Sequence, residues 1–167
     1  MPGCQFLQIP LRCAFQADYF DGVSKKSAKI AAMIETFRGG SFDAHYLGYF
    51  ECFNRGLYYE AHDVLEELWL QDRKGPSGNF YKGLIQFAGA FVLMQKHNAA
   101  HPRLRPAARL LGLARENLRA YPEVFERLRV TEVLAAIDRW IGELEKGDFE
   151  VNPLKTDSAP RLEPPGE

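Results

Sequence analysis

Cysteine is scarce in this 167-residue chain and is not arranged in any motif. The three cysteines, Cys4, Cys13 and Cys52, lie far apart and form no Cys-x-x-Cys pair. This spacing excludes a zinc ribbon and gives no basis for a disulfide framework. We therefore predict reduced thiols in a cytoplasmic protein.

Net charge is almost absent, because 21 basic residues are balanced by 22 acidic ones. Proteins that bind nucleic acid or an anionic membrane surface through their overall field carry a clear basic excess. The composition therefore disfavours nucleic acid as a partner. It leaves other partners, including a second copy of the chain, undetermined.

Long apolar runs are also missing, since none reaches the roughly 18 residues that span a bilayer. The first twenty residues are interrupted by Pro10 and Arg12, and no basic segment precedes them. We predict neither a membrane span nor a signal peptide. With 46% apolar residues, the chain is long enough for one domain with a real core.

The common catalytic and nucleotide-binding motifs do not occur. There is no Gly-x-Ser-x-Gly, no Walker A sequence and no Gly-x-Gly-x-x-Gly. No segment shows the alternation of apolar and polar residues that is typical of a strand.

What the chain does contain is apolar residues at helical spacing, separated by glycine- and proline-rich turns. Short connections between helices favour antiparallel neighbours. We predict an all-α fold, a compact antiparallel bundle of four to five main helices with irregular termini. Ser41 is the predicted N-cap of the first bundle helix, and Thr131 or a neighbour is that of the last. The predicted helices cover about residues 24–37, 42–54, 58–71, 79–96, 104–120 and 131–146.

Three regions follow from this pattern. Residues 1–40 form an N-terminal extension that is irregular over residues 1–22 and helical from Ser24, either laid on the bundle or a mobile lead-in. Residues 41–146 form the bundle domain. Residues 147–167 are polar and proline-rich, and we predict an extended or disordered tail without core-forming side chains.

The segment over residues 79–96 is apolar nearly all round, so it is predicted to be the buried central helix. The segment over residues 58–71 instead has one apolar arc. His62 and Glu66 are four residues apart and share a face at the edge of that arc, next to Trp69. Glu60, Asp63 and Glu67 are predicted to point the other way.

Residues 53–69 read Phe-Asn-Arg-Gly-Leu-Tyr-Tyr-Glu-Ala-His-Asp-Val-Leu-Glu-Glu-Leu-Trp, and related blocks follow at residues 82–86 and 109–111. Over about residues 42–145 the chain resembles the family called domain of unknown function 309. The resemblance implies a small all-helical bundle with no established activity. It also implies a polar cluster, whose members here are Glu60, His62, Glu66, Trp69 and Gln86. Many members carry His or Tyr about six residues after the matched Gln, where this chain has Val92 and Leu93.

Antiparallel packing about the loop near residues 74–75 gives the predicted cluster a geometry. It places His62 beside Gln86, Glu66 near Lys82 and Gly83, and Trp69 near Phe80. We therefore predict that His62, Glu66 and Gln86 approach one another in the core.

Two interpretations of this cluster remain open. The favoured one is a binding or scaffold module without a cofactor. In it the buried cluster either lines a small pocket or is a structural network that fixes the helix register, with Glu66 paired to a cation such as Arg109. The alternative is a divalent-metal-dependent hydrolase. In it His62 and Glu66 are ligands and Glu60 or Glu67 is the general base. The His-Glu-x-x-His motif and paired Glu-x-x-His motifs are absent, so further ligands must come from elsewhere.

An arginine-rich band suggests a third interpretation, an oligomerising or nucleic-acid-associated protein. Glu116, Glu123 and Glu126 lie in the same region. A solvated helix face with local salt bridges is therefore favoured. The arginines are Arg103, Arg105, Arg109, Arg115, Arg119, Arg127 and Arg129.

Overall fold

The computed structural model describes residues 28–155 and 159–164, and this part of the chain is an all-α bundle with one small hairpin. Successive helices of the bundle pack against each other. The helices are α1 (Ala44–Asn54), α2 (Tyr58–Gln71), α3 (Gly78–Gln95), α4 (Leu104–Leu118) and α5 (Val130–Lys146), and the strands are β1 (Val124–Phe125) and β2 (Leu128–Arg129).

The helix ends test the predicted caps. α2 has the predicted bounds, but Asp43 rather than Ser41 caps α1, because its side chain accepts a hydrogen bond from the His45 backbone N–H at 2.8 Å. α5 begins at Val130, next to Thr131, and Arg129 at the N-cap position makes no capping hydrogen bond through its side chain. Differences of one or two residues at helix ends are where helix assignments vary most.

The β1–β2 hairpin was not predicted. Its two loop residues, Glu126 and Arg127, have φ values of 47° and 56°. Two-residue hairpin loops need positive φ, and Asn and Gly are the residues that usually supply it. The sequence carries no such signal here. Tertiary contacts hold the loop instead: Tyr46 Oη donates to the Glu126 carbonyl at 3.1 Å, and Ser77 Oγ donates to its carboxylate at 3.2 Å.

α3 is the central helix, as its all-round apolar character predicted, with eleven of its 18 residues buried. The Phe91 ring on α3 lies 5.4 Å from Phe53 of α1, 5.1 Å from Tyr58 of α2 and 5.0 Å from Trp140 of α5, centroid to centroid. One side chain therefore joins four helices. Within residues 28–155 and 159–164, no helix has the length and apolar character that crossing a membrane requires.

The N-terminal helix lies on the bundle over its described part. Residues 28–34 are helical and a 3₁₀ turn follows at Glu35–Phe37. A Cβ added at Gly48 of α1 would lie 2.9 Å from Ile34 Cγ2 and 3.2 Å from Val64 Cγ1, so this segment packs at the α1–α2 seam. The predictions for residues 1–22 and for the cap at Ser24 lie outside the described residues.

The described part of the C-terminal tail contributes to the core. Residues 159–164 form no helix or strand, yet Leu162 is only 5% exposed. Asn152, which is 6% exposed, donates from Nδ2 to the Met94 carbonyl at 2.7 Å and accepts from the Leu154 N–H at 3.1 Å. The expectation that this tail carries no core-forming side chain was therefore wrong at Leu162.

We expect Asn152→Ala to lower the free energy of unfolding by about 1–2 kcal/mol, the cost of leaving buried polar groups short of a partner. Met94 lies in the last turn of α3, and its carbonyl also accepts from the His97 N–H at 3.3 Å, so the shorter of these two bonds is lost with Asn152. Urea denaturation followed by circular dichroism measures the loss. Asn98→Ala is the matched control, because Asn98 is exposed and water can replace its bonds. Equal losses in both variants would contradict the role given to Asn152.

Candidate functional site

A group of three potential ligands lies on α2. The chain turns at Gly56, where φ is 74°, and α2 begins at Tyr58. One helical turn separates His62 from Glu66, which puts both on one face. One ligand atom each from His62, Asp63 and Glu66 all lie within 4.8 Å of one another. His62 Nδ1 is 3.2 Å from Asp63 Oδ1.

This group lies at the rim of the bundle. Asp63 is 7% exposed, whereas the His62 side chain is 34% exposed and Glu66 is half-buried. The prediction that His62 and Glu66 lie inside the core was therefore wrong. α2 buries Ala61, Val64 and Leu65 instead, and the two polar side chains flank that apolar face.

Gln86 does not join the group. Its Oε1 accepts a hydrogen bond from Asn117 Nδ2 at 2.7 Å, so it links α3 to α4. His62 instead lies near Gly89, where an added Cβ would be 3.8 Å from His62 Cδ2. The helix pair is thus shifted slightly from the predicted register. Among the described residues, no hydrogen bond joins Gln86 to His62.

Asp63 is the member that sequence reasoning missed, because it was predicted to face away from the core. The segment over residues 28–34 covers part of that side of α2, as shown by the 2.9 Å ion pair between Lys29 Nζ and Glu60 Oε1. The amphipathic pattern of α2 alone predicts that this side of the helix is exposed to solvent. The adjacency of Asp63 to His62 was the one signal that pointed to it.

The two candidate general bases both have partners. The hydrogen bond from Lys29 is the main cause that lowers the pKa of Glu60 below its usual value. Glu67 Oε2 lies 3.4 Å from His45 Nε2, and His45 Nδ1 lies 2.9 Å from Asp43 Oδ1. Neither Glu60 nor Glu67 belongs to the three-residue ligand group.

Two further predicted site residues, Trp69 and Arg109, do not belong to the three-residue ligand group. Trp69 is half-buried and packs against the apolar core. Arg109 is exposed, and within residues 28–155 and 159–164 it forms no ion pair, so the predicted Glu66–Arg109 pair is not formed. Arg109 was predicted as the partner only because it is a cation on a neighbouring helix. In the structure it lies on the exposed side of α4.

Most of the arginine-rich band is engaged in local ion pairs, as the favoured interpretation of that band proposed. These pairs lie on the surface, where each contributes little to stability. The pairs are Arg105–Asp148 at 3.4 Å, Arg115–Asp138 at 2.9 Å, Arg119–Glu116 at 2.6 Å and Arg129–Glu132 at 3.6 Å.

Cys52 is not an activated nucleophile. It is a buried free thiol, and burial, followed by the nearby Glu60 carboxylate, raises its pKa to about 11. Thiol nucleophiles react as the thiolate, which this environment disfavours at neutral pH. The other two cysteines lie outside the described residues.

Comparison with known families gives one match. Residues 46–103 match the family described as domain of unknown function (DUF309), which confirms the family resemblance for this segment. The segment contains α1 from Tyr46, all of α2 and α3, and the three ligand residues. No curated protein and no solved structure matches the chain.

Proposed function

We propose that the segment over residues 46–103, which matches the family described as domain of unknown function (DUF309), is a binding module for a divalent metal ion in this chain. The proposed ligands are His62, Asp63 and Glu66. The observation that carries the proposal is that one nitrogen and two oxygen ligand atoms converge within 4.8 Å at the rim of the bundle.

The donor chemistry suits zinc, manganese or iron, which accept imidazole nitrogen and carboxylate oxygen. Ligands about 2.0–2.2 Å from a tetrahedral ion lie roughly 3.3–3.6 Å from each other. The 3.2 Å between His62 Nδ1 and Asp63 Oδ1 is close to that separation. A metal ion bound here would replace the direct contact between these two atoms.

The three proposed ligands differ in exposure in a way that favours binding of a metal ion. Asp63 is buried and held by its surroundings, while His62 and Glu66 are reachable from solvent. An ion can therefore enter without opening the core. Three protein ligands leave a further coordination position for water or for a ligand from a partner.

Binding is proposed in preference to metal-dependent hydrolysis. Hydrolysis also needs a general base within hydrogen-bond reach of the metal-bound water. Glu60 is bonded to Lys29 and Glu67 faces His45, so both candidate bases are engaged elsewhere.

Metal titration of chelator-treated full-length protein tests the proposal. We expect isothermal titration with Zn²⁺ to give one site per chain, and Co²⁺ to give a visible absorption band from the bound ion. His62→Ala is expected to weaken binding by about 100-fold or more, because it removes the only nitrogen ligand. Glu66→Gln keeps the shape, removes the charge and is expected to weaken binding by about tenfold.

His45→Ala is the matched control. His45 also lies beside two carboxylates, those of Asp43 and Glu67, but these residues are outside the ligand group. We expect this variant to bind as the wild type does. Absence of a stoichiometric site, or equal losses in His45→Ala and His62→Ala, would overturn the proposal. Unchanged circular dichroism shows that each variant is folded.

A further inference from the structure

Asn54, the last residue of α1, holds the C-terminal segment by its main chain. Asn54 Nδ2 donates to the Leu162 carbonyl at 2.7 Å, and the Leu162 N–H donates to Asn54 Oδ1 at 2.8 Å. A carboxamide that bonds both main-chain groups of one residue repeats the pairing between adjacent strands of a sheet. This contact selects an extended backbone rather than a particular side chain.

The one buried side chain of the held segment lies between two exposed ones. Leu162 is 5% exposed and belongs to the core cluster, while Arg161 and Glu163 on either side of it are exposed. Alternation of this kind is how an extended peptide presents one side chain to a pocket. The leucine therefore supplies the apolar anchor and Asn54 supplies the main-chain contact.

A cleft of about 160 Å³ lies between the held segment and the bundle. Residues 160–164 line one side of it, and the hairpin loop, β2 and the start of α5 line the other. The apolar residues on the bundle side are Leu128, Val133 and Ala136, and the charged ones are Arg127, Arg129 and Glu132. The segment thus lies against the bundle at Leu162 and leaves open space beside it.

Asn54 lies inside the segment that matches the family, whereas Leu162 lies far outside it. The group that holds the peptide is thus part of the domain, and the held peptide is an appended segment. We propose that Asn54 and the part of the core that buries Leu162 form a peptide-binding site for a segment with a central leucine, occupied here by residues 159–164 of the same chain. This proposal does not depend on the proposed metal site.

Opening the site in the full-length chain makes the proposal testable. Leu162→Asp places a carboxylate at the apolar anchor and should release the segment. A fluorescent peptide with the sequence Ala-Pro-Arg-Leu-Glu-Pro, that of residues 159–164, is then titrated and its anisotropy measured. We expect it to bind the Leu162→Asp chain at least about tenfold more tightly than the wild type, a factor equivalent to about 1.4 kcal/mol.

Two controls connect this binding to the proposed contacts. Adding Asn54→Ala to the Leu162→Asp chain should abolish it, and a peptide with Asp in place of Leu should not bind. Asn117→Ala is the matched control for Asn54, because Asn117 is a half-buried helix asparagine that bonds Gln86 outside the cleft. It should leave peptide binding unchanged.

A measurement on the wild type guards against misfolding of the variant. The Leu162 N–H is hydrogen-bonded, so its exchange with deuterium should be slow and should accelerate when excess peptide displaces the segment. No peptide binding to a folded Leu162→Asp chain and no effect on that exchange would overturn the proposal. It would also be overturned by a wild-type dimer that Asn54→Ala dissociates, because the occupant would then be the segment of a second copy.

Discussion

Phe91→Ala is expected to lower the free energy of unfolding by about 3–5 kcal/mol, the range for removing a fully buried aromatic side chain. Phe91 has no exposed surface, and its ring contacts Phe53, Tyr58, Phe87 and Trp140. These neighbours belong to four helices. The cavity could close only if several helices moved together, so most of the cavity cost should remain.

Chemical denaturation followed by circular dichroism measures this loss. Phe42→Ala is the matched control, because Phe42 is half-buried before α1 and contacts the rim of the aromatic cluster through Tyr46. We expect its loss to be about 1 kcal/mol. Comparable losses in the two variants would show that Phe91 does not join the helices as the packing indicates.

Gly83→Val is expected to cost about 3 kcal/mol, the upper part of the usual range for overpacking. A Cβ at Gly83 would lie 2.7 Å from Leu118 Cγ and 3.3 Å from the Ala114 carbonyl oxygen. The Leu118 side chain is fully buried, and the Ala114 oxygen belongs to the α4 backbone. Neither can move away cheaply, so α3 and α4 must separate.

Gly112→Val makes the same chemical change on the neighbouring helix without the same neighbours. A Cβ at Gly112 would meet no atom within 4 Å, and Gly112 lies in the middle of α4. We expect its effect to stay within about 0.5 kcal/mol, because valine removes some of the backbone entropy cost of glycine. Thermal or urea unfolding compares the pair, and equal effects would show that the α3–α4 contact tolerates a side chain.

The helical bundle follows from local pattern. α2 could be bounded from its turn at Gly56 and its apolar arc, and α3 could be assigned to the centre because no side of it is polar. The spacing of His62 and Glu66 is likewise local, since four residues make about one turn. Each of these features depends on residues close together in the chain.

Contacts between distant segments of the chain decided which residues make up the proposed sites. Asp63 is buried on a side of α2 that residues 28–34 approach, Gln86 is bonded to Asn117 of α4, and Leu162 meets Asn54 across 108 positions of the chain. None of these contacts can be predicted from the spacing of apolar and polar residues within one segment. The hairpin loop at residues 126–127 is similar, because contacts from Tyr46 and Ser77 hold it rather than residues that favour positive φ.

The sequence by itself therefore determined the helices, the central position of α3 and the one-turn pair of His62 and Glu66, because period and turn residues act over a few positions. Only the tertiary structure decided which polar groups meet, how deeply Asp63 is buried and that the C-terminal segment is held by Asn54. Those outcomes depend on which surfaces of distant segments pack together. The hydrophobic effect drives this packing but is non-directional, so it does not specify which polar groups come into contact.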